Sequence, residues 1–166
     1  MRYVIAIGSN LGEPEASVRR AMEAVESRLE SSFSRRSSLY RTEPVGGPEQ
    51  PDYVNAVIVV EADADPVNVL RTLHEIEAQE GRVRDVRWGP RTLDLDVIVA
   101  GETVSEDPDL LLPHPRAHER AFVLVPWHEV EPDAILGGHG PIAALIERGF
   151  PGQAIEAIPS GEGMWS

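Results

Sequence analysis

The first half of the chain combines short apolar runs with one stretch of helical periodicity. Residues 3–7 are continuously apolar, which predicts a buried strand that a Gly-Ser-Asn turn ends. Pro14 begins a stretch with apolar side chains at positions 18, 22, 25 and 29, a spacing typical of an amphipathic helix reaching about residue 30. A strand at residues 33–41 and a loop at residues 43–51, rich in Pro and Gly, follow.

The second half repeats this order. Alternating and then wholly apolar positions predict a long strand at residues 53–60, and Asp65-Pro66 begins a helix that we expect Gly81 to end. An Arg-rich loop over residues 82–91 leads into a strand at residues 92–99. The resulting β-α-β-β-α-β order predicts an α+β fold whose mostly antiparallel sheet carries its helices on one face.

After residue 100 the pattern is weaker. We expect another strand at residues 121–125, a short helix at residues 142–146, and a loosely attached C-terminal tail over residues 151–166. A length of 166 residues corresponds to one domain, which we assign to residues 1–150.

Composition and charge exclude several kinds of chemistry. All 15 basic residues are Arg, so no Lys can serve a Walker-type phosphate loop or a Schiff base. The chain has no Cys, which excludes thiolate nucleophiles, disulfides and Cys-ligated metals. The net charge of −13 argues against nucleic acid as a partner. Because the N-terminal apolar run is too short for a signal peptide or a membrane span, we expect a cytoplasmic protein that binds no membrane.

A local reversal of charge precedes the strand at residues 92–99. Four arginines fall within ten residues: Arg82, Arg84, Arg87 and Arg91. The guanidinium fork matches phosphate geometry, although a solvated loop that pairs with nearby carboxylates is the alternative interpretation.

Two carboxylates follow this loop directly. Asp94 and Asp96 are two positions apart in a strand, so both point to one face while their apolar neighbours point to the core. Such a pair suits Mg²⁺, which binds through one or two carboxylates together with substrate phosphates. A solvated strand face remains the alternative, but an Arg-rich loop leading into this pair favours phosphoryl-transfer chemistry.

Aromatic and amide side chains form a second candidate site. Tyr53 and Asn55 share one strand face just after the Gly/Pro loop, and a ring beside an amide could hold a flat heterocycle. Phe122 and Trp88 are further candidate rings. Ordinary core packing is the alternative for Tyr53, Asn55 and Phe122.

These segments, taken together, resemble the 6-hydroxymethyl-7,8-dihydropterin pyrophosphokinase family of folate biosynthesis. The matching pieces are AIGSNLG at 6–12, SLYRT at 38–42, QPDYVNA at 50–56, EAQEGR at 77–82, RWGPRTLDLD at 87–96, LPHP at 112–115 and RAF at 120–122. The resemblance implies a ferredoxin-like three-layer α/β sandwich, with a βαββαβ core and C-terminal additions. It also implies transfer of the β,γ-pyrophosphoryl group of ATP to the pterin's hydroxymethyl oxygen, with release of AMP.

The resemblance also implies a role for each candidate residue. It assigns the binding of two Mg²⁺ ions to Asp94 and Asp96, and the phosphate contacts to Arg82 and Arg91. The pterin contacts it implies are Thr42, Val45, Tyr53, Asn55 and Phe122. The ATP contacts it implies are His74, Glu77, Arg84, Trp88, His114 and Arg120.

Three departures and three alternative functions accompany this interpretation. His74, Asp85 and Pro115 differ from the residues that some family members carry, which we expect to tune ATP affinity rather than abolish activity. The alternatives are a catalytically silent nucleotide-binding module on the same fold, a nucleic-acid-binding ferredoxin-like domain and a simple ATP hydrolase. Family members are commonly monomers, and we expect the same here.

Overall fold

A computed structural model describes residues 1–10, 12–43, 52–84 and 93–159, without the side chains of residues 81–84. Over these residues, a six-stranded antiparallel sheet has the strand order β10-β3-β4-β1-β5, and β2 pairs with β4 on the same edge as β3, further along the strand. The strands of this sheet are β1 (Arg2–Ser9), β2 (Phe33–Arg36), β3 (Tyr40–Thr42), β4 (Tyr53–Glu61), β5 (Leu93–Ala100) and β10 (Ile155–Ala157). The helices are α1 (Pro14–Arg28), α2 (Pro66–Arg84), α3 (Ala121–Val130) and α4 (Ile142–Glu147). Two small hairpins consist of β6 (Ser105–Asp107) with β7 (Leu110–Leu112) and β8 (Ile135–Leu136) with β9 (Gly140–Pro141).

One face of the sheet packs against α1 and α2. Side chains alternate between the two faces of a strand, so odd-numbered residues of β1 and even-numbered residues of β4 reach this side. Ile5 and Ile58 are fully buried there, in one apolar cluster with Val25 of α1 and Leu73 of α2. The apolar faces of both helices thus pack against the apolar positions of the strands.

The opposite face packs against α3 and α4. Val4, Val57 and Val59 point to this side and lie in a second apolar cluster with Trp127 of α3 and Leu145 of α4. Helices therefore cover both faces. The expectation from pattern of helices on one face only is wrong, whereas the α+β three-layer sandwich with a mostly antiparallel sheet is confirmed.

The strand predicted at residues 33–41 is interrupted. Phe33–Arg36 and Tyr40–Thr42 pair with successive parts of β4, separated by three residues. At this break the backbone N–H of Val57 donates to the Ser37 hydroxyl at 2.9 Å, and the Ser37 N–H donates to the Val57 carbonyl at 2.9 Å. The serine side chain thus supplies the acceptor that an uninterrupted strand would supply from its backbone.

Two other sequence expectations are wrong in this part of the fold. Helix α2 does not end at Gly81 but continues to Arg84, so the predicted loop begins later; the remaining residues 85–91 lie outside the described residues. The Arg20 guanidinium donates to Glu80 Oε1 at 3.1 and 3.2 Å, which links this end of α2 to α1. This contact opposes the roughly 1 kcal/mol by which a Gly destabilises a helix. Residues 121–125 form the start of α3 and not a strand.

The C-terminal segment also differs from the loosely attached tail expected for residues 151–166. Ile155–Ala157 pairs antiparallel with β3 as the edge strand of the main sheet, and the Ile158 N–H donates to the Leu39 carbonyl at 2.8 Å. Residues 160–166 lie outside the described residues. The assignment of residues 1–150 to a single domain stays a prediction.

Among the residues with described structure, no helix is long and apolar enough to cross a membrane.

Candidate active site

A row of positions crosses the adjacent strands β4, β1 and β5 on the face that α3 covers. In register, Gly8 of β1 lies opposite Asn55 of β4 on one side and opposite Asp94 of β5 on the other. Asp96 lies one step further along β5, opposite Ala6. With neighbouring strands about 4.8 Å apart, this register spaces the backbone of Asn55 and the backbone of Asp94 by about 10 Å across the sheet.

Asn55 is held in a fixed orientation at one end of this row. Its side chain is buried, and its Nδ2 donates to the Thr42 hydroxyl at 2.7 Å. A Cβ atom built on Gly8 would lie only 2.7 Å from Asn55 Oδ1, so the absence of a side chain at Gly8 is what leaves room for the amide. The Tyr53 ring borders the same position, at 3.9 Å from that Cβ.

The carboxylates lie at the other end of the row, on the sheet's edge strand. Asp94 is exposed and Asp96 half-buried, while Leu93, Leu95 and Val97 point into the opposite core, as predicted. No other strand of the main sheet pairs with the outer edge of β5 within the described part of the chain.

Glu77 of α2 covers that outer edge. Its Oε2 accepts a hydrogen bond from the Leu95 backbone N–H at 2.7 Å, between the two aspartates. Burial raises the pKa of the Glu77 carboxyl; the Leu95 N–H opposes this rise, and the charges of Asp94 and Asp96 add to it. The side chain therefore fixes the strand segment that carries both carboxylates.

The start of α3 forms the wall opposite the sheet. Arg120, which precedes the first residue of the helix, lies over the Phe122 ring, with its guanidinium carbon 5.5 Å from the ring centroid. Between this wall and the strands is a cavity of about 650 Å³, which we call the larger cavity. It is lined by Gly8, Thr42, Tyr53, Asn55, Asp94, Asp96, Arg120 and Phe122, together with residues 151–154.

A second cavity, the smaller cavity of about 390 Å³, adjoins β5 on its outer side. Residues of α2, β5 and the β6–β7 hairpin line it, and Asp96 lines both cavities. The lining includes Leu70, His74, Glu77, Asp96, His114 and Pro115.

His114 has a defined hydrogen-bonding pattern in the smaller cavity. Its Nδ1 accepts from the Arg116 backbone N–H at 3.2 Å, which assigns the remaining ring proton to Nε2. Burial lowers the pKa of His114; the Asp96 carboxylate opposes this shift, and the Arg120 and Arg116 guanidinium groups add to it. A neutral ring with Nε2–H available is a hydrogen-bond donor and not a base.

The structure brings most of the candidate residues into these two cavities. Thr42, Tyr53, Asn55, Asp94, Asp96, Arg120 and Phe122 line the larger cavity, and His74, Glu77, Asp96 and His114 line the smaller one. Val45, Trp88 and Arg91, and the side chains of Arg82 and Arg84, lie outside the described residues.

Three parts of the larger cavity were missed by sequence reasoning. The apolar pattern assigned Gly8 to a strand-ending turn, whereas β1 continues to Ser9; a Gly inside a strand is a signal of close approach. Arg116 and Glu119, 3.5 Å apart, carry no distinctive pattern. The wall at residues 151–154 contains a Pro-Gly pair, which signals a turn but not where that turn docks.

The donor set fits a magnesium ion that shares its coordination with a substrate. Among the residues that the structure describes, no cluster of three or more His, Cys, Asp or Glu side chains could hold a metal unaided. The aspartate pair lines the cavity, and a carboxylate pair needs phosphate oxygens or water to complete an Mg²⁺ shell. The site is therefore suited to a metal that arrives with a phosphate.

Comparison with known proteins gives a consistent result. The family model described as 7,8-dihydro-6-hydroxymethylpterin-pyrophosphokinase (HPPK) matches residues 4–132. The 2-amino-4-hydroxy-6-hydroxymethyldihydropteridine pyrophosphokinase of Pseudomonas aeruginosa is 41% identical over 158 residues, covering 95% of this chain and 97% of the relative. The protein of the same name from Haemophilus influenzae is 39% identical over 144 residues, covering 87% of this chain and 90% of the relative.

A solved structure shares the fold. A Plasmodium falciparum HPPK-DHPS triple mutant, crystallised with pteroate, superposes with a TM-score of 0.65 at 13% identity. The superposition covers 89% of this chain and 43% of that larger protein, so it bears on the fold alone. By the family-model match and the identity with full-length relatives, this chain belongs to the 7,8-dihydro-6-hydroxymethylpterin-pyrophosphokinase family.

Proposed function

We propose that the protein transfers the β,γ-pyrophosphoryl group of ATP to the hydroxymethyl oxygen of 6-hydroxymethyl-7,8-dihydropterin and releases AMP, a step of folate biosynthesis. The observation that carries this proposal beyond family membership is the position of Asp96, which lines two adjoining cavities. With one substrate in each cavity, the reacting groups of both would lie next to the Asp96 carboxylate.

The larger cavity suits the pterin. Tyr53 and Phe122 offer aromatic faces on its two walls, and the Thr42 hydroxyl fixes the amide of Asn55. Asn55 Nδ2 donates one of its two protons to Thr42, which leaves the amide oxygen as an acceptor and the second N–H as a donor for the heterocycle. We assign Val45 to the same ligand from the family resemblance.

The smaller cavity suits the nucleotide. His74 and His114 supply ring nitrogens there, and the neutral His114 can donate Nε2–H to a phosphate oxygen. Glu77 accepts from Leu95, so we assign it to orienting the aspartate strand in addition to the nucleotide contact expected from the resemblance. Arg84 and Trp88 are further nucleotide contacts that the resemblance implies, as is Arg120, which lines the larger cavity.

Asp94 and Asp96 would hold two Mg²⁺ ions shared with the phosphates of ATP. Bound there, the metal supplies charge neutralisation on the phosphate oxygens and lowers the pKa of a coordinated hydroxyl. Two observations support this assignment. The two carboxylates share one strand face, and Glu77 holds that part of β5 by accepting from the Leu95 N–H.

The other residues of the site position the two substrates. A bond forms from the pterin hydroxymethyl oxygen to the β-phosphorus, and the bond from the β-phosphorus to the α,β-bridging oxygen breaks. AMP leaves with that oxygen and the electron pair, and the hydroxyl proton passes to solvent. Asn55 and the aromatic pair orient the acceptor, and Arg82 and Arg91 neutralise developing phosphate charge. Holding both reactants in line contributes more here than a strong base would.

We also propose that the protein acts as a monomer in the cytoplasm, and that the single domain assigned to residues 1–150 is completed by residues 151–157, which line the larger cavity and add β10 to the sheet. The oligomeric state and the location rest on the expectations drawn from the sequence and the family resemblance.

The proposed function is tested by analysing nucleotides after incubation with MgATP, with and without 6-hydroxymethyl-7,8-dihydropterin. We expect AMP only when the pterin is present, in an amount equal to the pterin diphosphate formed. ADP formed regardless of the pterin would contradict the proposal and indicate a hydrolase. No product, with ATP still bound, would contradict it in favour of a silent nucleotide-binding module.

A further inference from the structure

A short segment beyond the family match forms one wall of the larger cavity. Residues 151–154 line it, whereas the family model ends at residue 132. The segment is a tight turn in which the Gln153 N–H donates to the Phe150 carbonyl at 3.0 Å. Pro151 precedes Gly152, whose φ is +79°, the arrangement typical of a type II turn. The turn directs Gln153 toward the start of α3.

The Gln153 side chain bridges two backbone groups at that point. Its Oε1 accepts from the Ala121 N–H at 2.9 Å, and its Nε2 donates to the Glu119 carbonyl at 2.8 Å. Ala121 is the first residue of α3, and the N-cap residue Arg120 makes no side-chain cap hydrogen bond. Gln153 therefore satisfies a helix N-terminal donor that α3 does not satisfy itself.

The same segment is tied to the opposite wall. Directly after Gln153, Ile155–Ala157 pairs with β3, placing Ile155 opposite Thr42. Thr42 in turn accepts from Asn55. One continuous stretch of chain thus connects the amide side of the cavity to the helix start that carries Arg120 and Phe122.

We propose that Gln153 is a positioning residue for the pterin: it holds the first turn of α3, and with it the Phe122 ring, at the correct distance from Tyr53 and Asn55. This inference rests on the proposed function. It adds a residue of the cavity wall that acts through the backbone on either side of Arg120.

Steady-state kinetics of Gln153→Ala tests this role. Losing a helix cap typically shifts an equilibrium about fivefold, so we expect KM for the pterin to rise about fivefold. We expect kcat at saturating pterin to stay within about twofold, because no group at the reacting atoms is lost. Simple destabilisation would instead lower the active fraction, and so kcat, at unchanged KM. Gln153→Glu keeps the acceptor for the Ala121 N–H but sets a carboxylate oxygen against the Glu119 carbonyl, so it should recover only part of the wild-type KM.

Two further measurements separate the possible failures. Glu156→Gln changes an exposed side chain of β10 in the same segment and should leave both constants unchanged. In Gln153→Ala, hydrogen exchange at the Ala121 amide should accelerate, whether or not the protein turns over a pterin. Wild-type protein that forms no AMP would overturn the proposed function. Active wild-type protein with an unchanged pterin KM in Gln153→Ala, or an unchanged Ala121 exchange rate, would overturn the role of Gln153.

Discussion

The two faces of the central sheet differ in what their side chains do. On β1, β4 and β5 the face under α1 and α2 is apolar up to the buried Ser9 at the end of β1, with fully buried residues such as Ile5 and Ile58. The face under α3 is apolar only in the middle, around Val57 and Val59, and carries Asn55 and Asp96 toward one end. The same strands supply both sets, because successive side chains alternate between faces.

This alternation separates stability from chemistry within single strands. In β4, Asn55 faces the cavity while Ile58 faces the core. In β5, the aspartates face the cavity while Leu95 is buried on the other side. A substitution on one face should therefore change turnover and leave folding intact, and a substitution on the other should do the reverse.

The largest effect is expected on the cavity face, from Asp96→Asn. Removing the charge without changing the size should lower kcat by a factor on the order of a hundred or more, because metal-assisted charge stabilisation contributes several kcal/mol. The circular dichroism spectrum and melting temperature should stay close to wild type. The matched control is Asp133→Asn, at an exposed acid outside both cavities. Near-wild-type turnover of Asp96→Asn would exclude the proposed metal role.

The core face is tested by Ile58→Ala. Deleting this buried side chain should lower the free energy of unfolding by about 2–5 kcal/mol, through lost burial and a residual cavity. Urea denaturation measures this loss, and Ile58→Val should cost only about 0.5–1.5 kcal/mol. Turnover per folded molecule should match wild type at a temperature where the variant is folded. A pterin KM that rose with the loss of stability would contradict the separation of the faces.

Gly8→Ala should produce an intermediate effect on the cavity face. The added Cβ would meet Asn55 Oδ1 at 2.7 Å, and the amide cannot yield without losing its bond to Thr42. We expect pterin affinity to fall roughly tenfold, equivalent to about 1.4 kcal/mol, as measured by fluorescence titration. At Gly137 an added Cβ meets its nearest neighbour at 3.6 Å, so Gly137→Ala is the matched control. Unaltered pterin binding by Gly8→Ala would remove Asn55 from the pterin site.

The smallest effect is expected at the margin of the core face, where Glu26 of α1 accepts from Arg36 of β2 at 2.6 Å. Hydrogen bonding from Arg36 holds the pKa of Glu26 below its ordinary value, against the opposing effect of burial. The folded state therefore binds this proton less readily than the unfolded chain, and the associated stability is present above the ordinary carboxyl pKa. It disappears as the pH falls through the lowered pKa.

Glu26→Gln should accordingly destabilise the protein by about 1 kcal/mol or less at neutral pH and by almost nothing in strong acid. Denaturation at a series of pH values measures this, with Glu147→Gln on α4 as the control. An effect of the same size at both ends of the pH range would show that the ion pair is not its source. Turnover should not change, since the pair lies outside both cavities.

Sequence periodicity predicted the core face better than the cavity face. Helix α1 and strands β1, β4 and β5 were predicted from the spacing of apolar residues, because each of these elements buries either one side or a continuous run of apolar residues. Helix α3 was not, since its apolar residues continue almost without interruption and leave no period to distinguish helix from strand. The end of α2 was misplaced because contacts between Arg20 and Glu80, sixty residues apart, outweigh the local preference of Gly81.

The site was predictable in pairs but not as a whole. Spacing alone placed Asp94 with Asp96, and Tyr53 with Asn55, on shared strand faces. Their common cavity depends on strand register, which sets Gly8 between Asn55 and Asp94. Gln153 reaches the site only through the pairing of β10 with β3 and the docking of its turn on α3. Such long-range contacts leave no local trace in the sequence.

The most direct test of the central claim follows the labelled phosphates of ATP. In separate reactions with 6-hydroxymethyl-7,8-dihydropterin, ATP carries a phosphorus label at the β or at the γ position. The proposal predicts that both labels appear in the pterin product in equal amounts, with unlabelled AMP released. Transfer of the γ label alone, or its release as inorganic phosphate, would contradict a pyrophosphokinase site on this face of the sheet.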